Sequence, residues 1–190
     1  MKPMAWLPLL ALALAGCSLG RVAVPADPPT DPPEPSRILA QFSCDSGFAG
    51  WRIESGDAPA DRPQPLLMIA ETGNAIFAGD GPASILCDVP ALDVSAYRTI
   101  RLGLKGDGQR YQLRLDAAPG DRHSYAADFQ TSGDWQEIVL PFADFFAIRH
   151  GDRLDLPNYP GQTLARVQLL AGDGRAESFR LEIDRIWLEK

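Results

Sequence analysis

The stretch Gly103–Ala117, GLKGDGQRYQLRLDA, sets the triplet Gly106-Asp107-Gly108 between two runs of alternating apolar and polar residues. Before it, Ile100, Leu102 and Leu104 fall on one face, with Arg101 and Lys105 opposite. After it, Tyr111, Leu113 and Leu115 alternate with Arg110, Gln112 and Arg114. A period of two marks a half-buried strand. The triplet then reads as a hairpin turn, which needs residues tolerant of positive φ. A phosphate-binding loop would lead into a helix N-terminus, and here a strand follows. A lone Asp107 in a turn is weak ground for a cation site.

The same period extends outward. HSYAADF places His123, Tyr125, Ala127 and Phe129 on one face, and WQEIVLPF is a further strand stopped by Pro141. LARVQLL and SFRLEIDRIWLE follow, while RILAQFS, PLLMIA, NAIFA and ASILCDV are shorter candidates upstream. In the last strand Phe179, Leu181 and Ile183 share a face but Ile186 and Leu188 are out of step, which predicts a β-bulge near Asp184 and Arg185. PALDVSAYR has room for one helical turn, with Asp93 and Ser95 at turn or cap positions. About nine or ten short strands with polar punctuation indicate an all-β fold, an antiparallel β-sandwich of jelly-roll type.

The N-terminus carries a basic Lys2, an apolar run from Met4 to Gly16, and then Cys17. The run is too short to remain as a membrane span and reads as a secretory signal over residues 1–16. Leu14-Ala15-Gly16-Cys17 resembles the bacterial lipobox, so lipidation of Cys17 is expected, with an ordinary signal peptide as the alternative. Ser18 is not the aspartate associated with inner-membrane retention, which favours the outer membrane, facing the periplasm. Within residues 17–37, the lipidated cysteine and tether, the stretch from Leu19 to Arg37 is rich in proline and poor in large apolar residues. Such a segment is an extended tether, able to hold a domain roughly 50 to 60 Å from the membrane at about 3.1 Å per residue. Residues 38–190 are long enough for one domain with its own core.

The formal net charge of −7 argues against nucleic acid, because neutralising phosphates requires a basic face. Beyond Cys17 the chain has Cys44 and Cys87, an even pair in an oxidising compartment. A disulfide is the natural expectation, restricting the unfolded chain by up to roughly 4 kcal/mol; two separate buried thiols are the alternative.

Three segments carry a family resemblance: LKGDGQRYQLRL, SYAADFQTSGDWQEIVLPFADF and SFRLEIDRI. From Tyr97 onward the chain resembles the complex I intermediate-associated protein 30 family. The resemblance implies a galactose-binding-like jelly roll, related in shape to carbohydrate-binding modules. In the mitochondrial members it implies a non-catalytic assembly factor for respiratory complex I. The family's Asp-Gly-Val-Met-Gly-Gly-like segment, expected soon after the first tryptophan of the domain, is replaced after Trp51 by RIESGDAPADRPQPLLMIAE.

Catalytic signals are sparse. His123 and His150 have no metal-ligand spacing to another histidine or cysteine, and no Gly-x-Ser-x-Gly elbow occurs. Asp152 and Asp155 are a carboxylate pair whose spacing says nothing about facing geometry. Neither a metal nor a cofactor is expected. Trp135 and Trp187 read as packing residues by default and as sugar platforms in the sharper alternative. The most suggestive polar set is Arg101, Arg110, Gln112 and Arg114 on the outward side of the expected hairpin, joined by Ser124 and Asp128 if the next strand is its neighbour. Arginine suits bidentate recognition of a carboxylate or phosphate, here on an acidic sugar or an acidic protein edge. The sequence therefore indicates a lipid-anchored, non-catalytic binding or assembly module acting through protein contacts in the cell envelope. A carbohydrate-binding module and an unrecognised hydrolase are the alternatives.

Overall fold

The computed structural model describes residues 36–55, 64–171 and 178–190; the leader, Cys17 and nearly all of the tether lie outside the described residues. The described chain forms two antiparallel sheets and one short 3-10 turn at Phe142–Asp144. The first sheet runs β3 (Leu66–Ile69), β4 (Ala75–Gly79), β13 (Phe179–Glu189), β6 (Thr99–Lys105), β9 (Trp135–Pro141), and β1 (Ser36–Gln41) also pairs with β13. The second runs β11 (Asp152–Arg153), β10 (Phe146–Arg149), β8 (Ser124–Gln130), β7 (Arg110–Asp116), β12 (Thr163–Ala171), β5 (Ala83–Asp93), β2 (Trp51–Ser55). This is the expected all-β sandwich. Its core is built from the alternation seen in the sequence: Ile100, Leu102 and Leu104 from β6 meet Tyr111, Leu113 and Leu115 from β7, and all six are inaccessible to solvent.

The expected bulge is present. Ile183 pairs with Leu104 and Arg185 with Gly103, so the ladder slips by one residue at Asp184 and returns Ile186 and Leu188 to the core. A second slip lies between β5 and β12, where Asp88 faces Arg166 and Leu92 faces Leu164. Pro90 falls inside that gap, where its missing N–H costs no ladder bond.

Three expectations are corrected. First, Gly106-Asp107-Gly108 does not close a hairpin: β6 and β7 belong to different sheets, and the triplet is the crossover between them. The alternation on either side is the same for a hairpin and for a crossover. Long-range pairing decides, with β6 taken by β13 and β9, and β7 by β8 and β12. Secondly, Cys44 and Cys87 are both free thiols. Cys87 lies on β5 opposite Trp51 and packs toward the core, whereas Cys44 is exposed in the turn after β1. Thirdly, the segment after Pro90 forms no helical turn. β5 continues to Asp93, whose carboxylate accepts from the Ser95 amide at 2.9 Å and its hydroxyl at 2.7 Å.

The crossover is locked from both sides. Gly108 has φ +87°, a conformation glycine adopts without strain. The Thr131 hydroxyl donates to the Gln109 carbonyl at 2.8 Å and accepts from the Gly108 amide at 3.1 Å. A Cβ on Gly106 would lie 2.4 Å from the Cβ and Oγ1 of this buried threonine. Gly106→Ala is therefore expected to cost about 1–3 kcal/mol in urea unfolding. Gly133→Ala, where a Cβ meets nothing within 4 Å, is expected to be nearly neutral. Equal midpoints for the two variants would remove this account of the crossover.

Candidate functional site

Because strand residues alternate, the residues between the core positions of the seven-stranded sheet form a single outward face. The register aligns them in rows across the strands. One row runs Glu54, Ser84, Leu170, Gln112, Asp128; the next runs Arg52, Leu86, Gln168, Arg114, Ala126, Phe146. A third brings Asp88, Arg166 and Asp116 together, and Ile148 pairs with both Ser124 and Arg153. The face is polar and internally connected. Arg166 bridges Asp88 at 2.6 Å and Asp116 at 3.4 Å, and Arg52 reaches Asp88 at 2.7 Å. The Gln168 amide donates to Glu54 at 3.0 Å and to the Ser84 hydroxyl at 2.9 Å. Next to them, Gln112 donates to Asp128 at 2.7 Å and accepts from Arg114 Nε at 2.6 Å.

The structure thus brings together Arg110, Gln112, Arg114, Ser124 and Asp128, because β8 is the neighbour of β7. Arg101 is the exception and a correction. It lies on β6, on the outward side of the other sheet, ion-paired to Glu137 and Glu189. The error follows directly from the hairpin that is not there. Sequence reasoning also missed the far half of the face. Ser84 and Asp88 in ASILCDV, and Arg166 and Gln168 in LARVQLL, alternate as clearly as Gln112 and Arg114 do. The short strands β2, β10 and β11, which carry Arg52, Glu54, Phe146 and Arg153, have too few residues to show a period.

The remaining candidates resolve into packing. Trp187 has no solvent exposure: it lies between Ile38 and Arg101 in the register, with the Arg185 guanidinium 5.0 Å from its ring. Trp51 packs on Phe42 in the core, and Trp135 is half-buried opposite Lys105 on the outward side of the six-stranded sheet. None of the three offers a platform on the polar face. His123 is half-buried edge-on against Tyr125 at 5.0 Å, while His150 is exposed in the turn after β10 with φ +52°. Asp152 and Asp155 are exposed. Among the described residues no group of three or more His, Cys, Asp or Glu side chains could hold a metal ion.

Electrostatics distinguish the arginines. Hydrogen bonds from Arg166 and then Arg52 hold the Asp88 carboxyl below the usual carboxylate range, and Asp88 in turn raises the Arg166 guanidinium. Burial lowers Arg114, with Asp128 and Asp116 opposing it weakly through space. A carboxylate whose value is lowered on folding stabilises the fold above its ordinary value of about 3.9, and that contribution is lost as pH falls through the lowered value. Arg166→Gln is expected to shift the Asp88 titration, followed by its side-chain carboxyl carbon resonance, upward toward the ordinary value. An unmoved midpoint would refute the pairing as its cause.

A family model described as complex I intermediate-associated protein 30 matches residues 40–183. No curated protein matches the chain. Among solved structures, a family 11 carbohydrate-binding module from Clostridium thermocellum, in complex with a β-1,3-1,4-mixed-linked tetrasaccharide, aligns over 81% of this chain and 95% of its own, with 16% identity and a TM-score of 0.57. The family 11 module of a cellulosomal cellulase from the same organism gives 15% identity, 81% and 94% coverage and a TM-score of 0.58. A variant of a family 29 carbohydrate-binding module gives 9% identity, 81% and 91% coverage and a TM-score of 0.50. At such identities the likeness is one of fold, a jelly-roll sandwich. The family match spans most of the described sandwich, and the chain belongs to the complex I intermediate-associated protein 30 family.

Proposed function

We propose that the protein is a lipid-anchored, non-catalytic glycan-binding module of the bacterial cell envelope, presenting the outward face of its seven-stranded sheet. Cys17 carries the anchor, the proline-rich segment sets the standoff, and the outer membrane is the site of attachment. The observation that carries the glycan reading is the composition of the face. Its donors and acceptors are fixed planar groups, the amides of Gln112 and Gln168, the carboxylates of Glu54 and Asp128 and the guanidinium of Arg114. Such groups match the hydroxyls of a sugar ring. The central part of a protein interface is usually apolar and rich in aromatics. Here, of the outward apolar residues, Leu86 and Ile148 are buried beneath their neighbours and Leu170 and Phe146 are half-buried, the Phe146 ring lying under Arg153. The fold is also that of modules one of which was solved with a tetrasaccharide.

A second reading has its own observation. Ile38, Leu66, Met68 and Val139 are large exposed apolar residues, and all four lie on the outward side of the six-stranded sheet. Protein contacts of the assembly-factor kind would use that side.

The test is affinity electrophoresis of the full chain through gels containing soluble polysaccharides, neutral and acidic. Retardation by at least one polysaccharide, abolished by the joint substitution Gln112→Ala and Gln168→Ala with the unfolding midpoint little changed, is the expected result. No retardation by any of them would end the glycan reading. The anchor has a separate check: Cys17→Ser should move the protein from the membrane fraction to the soluble fraction, and continued sedimentation with membranes would exclude lipid at that residue.

A further inference from the structure

The polar face contains charges of both signs, but they are not equally satisfied. Each carboxylate in its rows has a donor: Glu54 takes Gln168, Asp88 takes Arg52 and Arg166, Asp116 takes Arg166, and Asp128 takes Gln112. The positive side is different. Among the described residues Arg110, Arg114 and Arg153 make no ion pair. Three guanidinium groups without an ion pair thus lie on this face of a chain whose formal charge is −7.

Arg114 is central among them and is held in place. Asp128 orients the Gln112 amide, whose oxygen then fixes Arg114 Nε at 2.6 Å. The two Nη atoms have no hydrogen bond to the described residues, so the terminal edge of the fork is available. Ala126 follows Arg114 in the same row and is fully covered, which its one-carbon side chain achieves only under longer neighbours. The next residue in the row is Phe146, with the Arg153 guanidinium 4.6 Å from its ring centre. Two cations thus flank one small residue. Side-chain burial has already removed part of the Arg114 hydration, so less is lost when a ligand covers it.

We infer that the glycan held by this face is acidic, and that Arg114, positioned by Gln112 and assisted by Arg153, selects it by binding a sugar carboxylate. The inference rests on the glycan reading. A carboxylate fits better than a phosphate: its two oxygens match the one free edge of the fork, whereas a dianion would meet Asp116 and Asp128 nearby with too little positive charge.

The experiment is titration calorimetry of the full-length chain in detergent with hexasaccharides of galacturonate, glucuronate, mannuronate and guluronate. Each is compared with the same oligomer after reduction of its carboxyl groups to alcohols. At least one uronate is expected to bind about tenfold or more tightly than its reduced partner. That preference should weaken as salt rises and fall to about unity in Arg114→Gln. Arg114→Lys, which retains charge without the planar fork, should keep only part of it. Arg153→Gln, at an exposed position, should reduce the preference without unfolding the sheet and serves if Arg114→Gln is unstable. Equal affinity for every uronate and its reduced partner, or a preference unchanged in Arg114→Gln, overturns the inference and leaves the glycan reading standing. If no oligomer, acidic or reduced, binds at all, the inference falls, and retardation by a neutral polysaccharide in the electrophoresis then decides whether the glycan reading falls with it.

Discussion

The carboxylate of Asp107 sits where the chain passes from one sheet to the other, and the arrangement of both sheets depends on what it accepts. The Tyr111 hydroxyl reaches both of its oxygens at 3.0 Å, the Gln109 amide reaches it at 3.1 Å, and the backbone amide of Arg180 reaches it at 2.8 Å. Tyr111 is the second residue of β7 in the seven-stranded sheet, and Arg180 the second of β13 in the other. One anion therefore ties the crossover to the central strand of each layer. Burial and the adjacent carboxylate raise the Tyr111 hydroxyl well above the usual phenol value, which keeps it protonated as a donor at neutral pH. With every donor around Asp107 committed to structure, the question raised by its glycine-flanked position has a structural answer.

That answer also shows what a sequence can and cannot disclose. The faces of β6, β7 and β13 were legible because each has enough residues to display a period of two, and even the slip at Asp184 appeared as a break in phase. Which sheet a strand joins has no such local signature. A turn with intact alternation on both sides serves a hairpin or a crossover equally well, and the choice is made by partners distant in sequence. The misplacement of Arg101 followed from that gap, whereas Arg110, Gln112 and Arg114 were grouped correctly because one strand carries all three. The cysteines failed for a related reason: spacing and compartment describe a plausible bond, but the approach of two Cα atoms is a property of the whole fold.

The two outward faces divide the chemistry between them. The six-stranded sheet covers Trp187 with Arg101 and Arg185 nearby, and it exposes single apolar side chains toward its edges and along β1. The seven-stranded sheet buries Leu86 and Ile148 beneath their neighbours, half-buries Leu170 and Phe146, and leaves amides, carboxylates and guanidinium groups at the surface. The interior between the sheets is filled by aliphatic and aromatic residues, so the polar groups of the seven-stranded sheet are presented on an open surface.

A surface of this kind has a consequence for affinity. Polar groups on an open face exchange hydrogen bonds with water for hydrogen bonds with ligand, a net gain of about 0.5–1.5 kcal/mol for a neutral pair. With no tryptophan on it and its one outward aromatic, Phe146, half-buried under Arg153, a single face of this type would bind weakly. Under the proposed lipid anchor weak binding would be no handicap, because neighbouring copies would engage one polymer at a high effective concentration. In that proposed arrangement the proline-rich composition of the N-terminal segment would supply standoff and reach together. Rapid release from any one contact, coupled with retention by many, would let the proposed module stay on a glycan without being locked to one position along it.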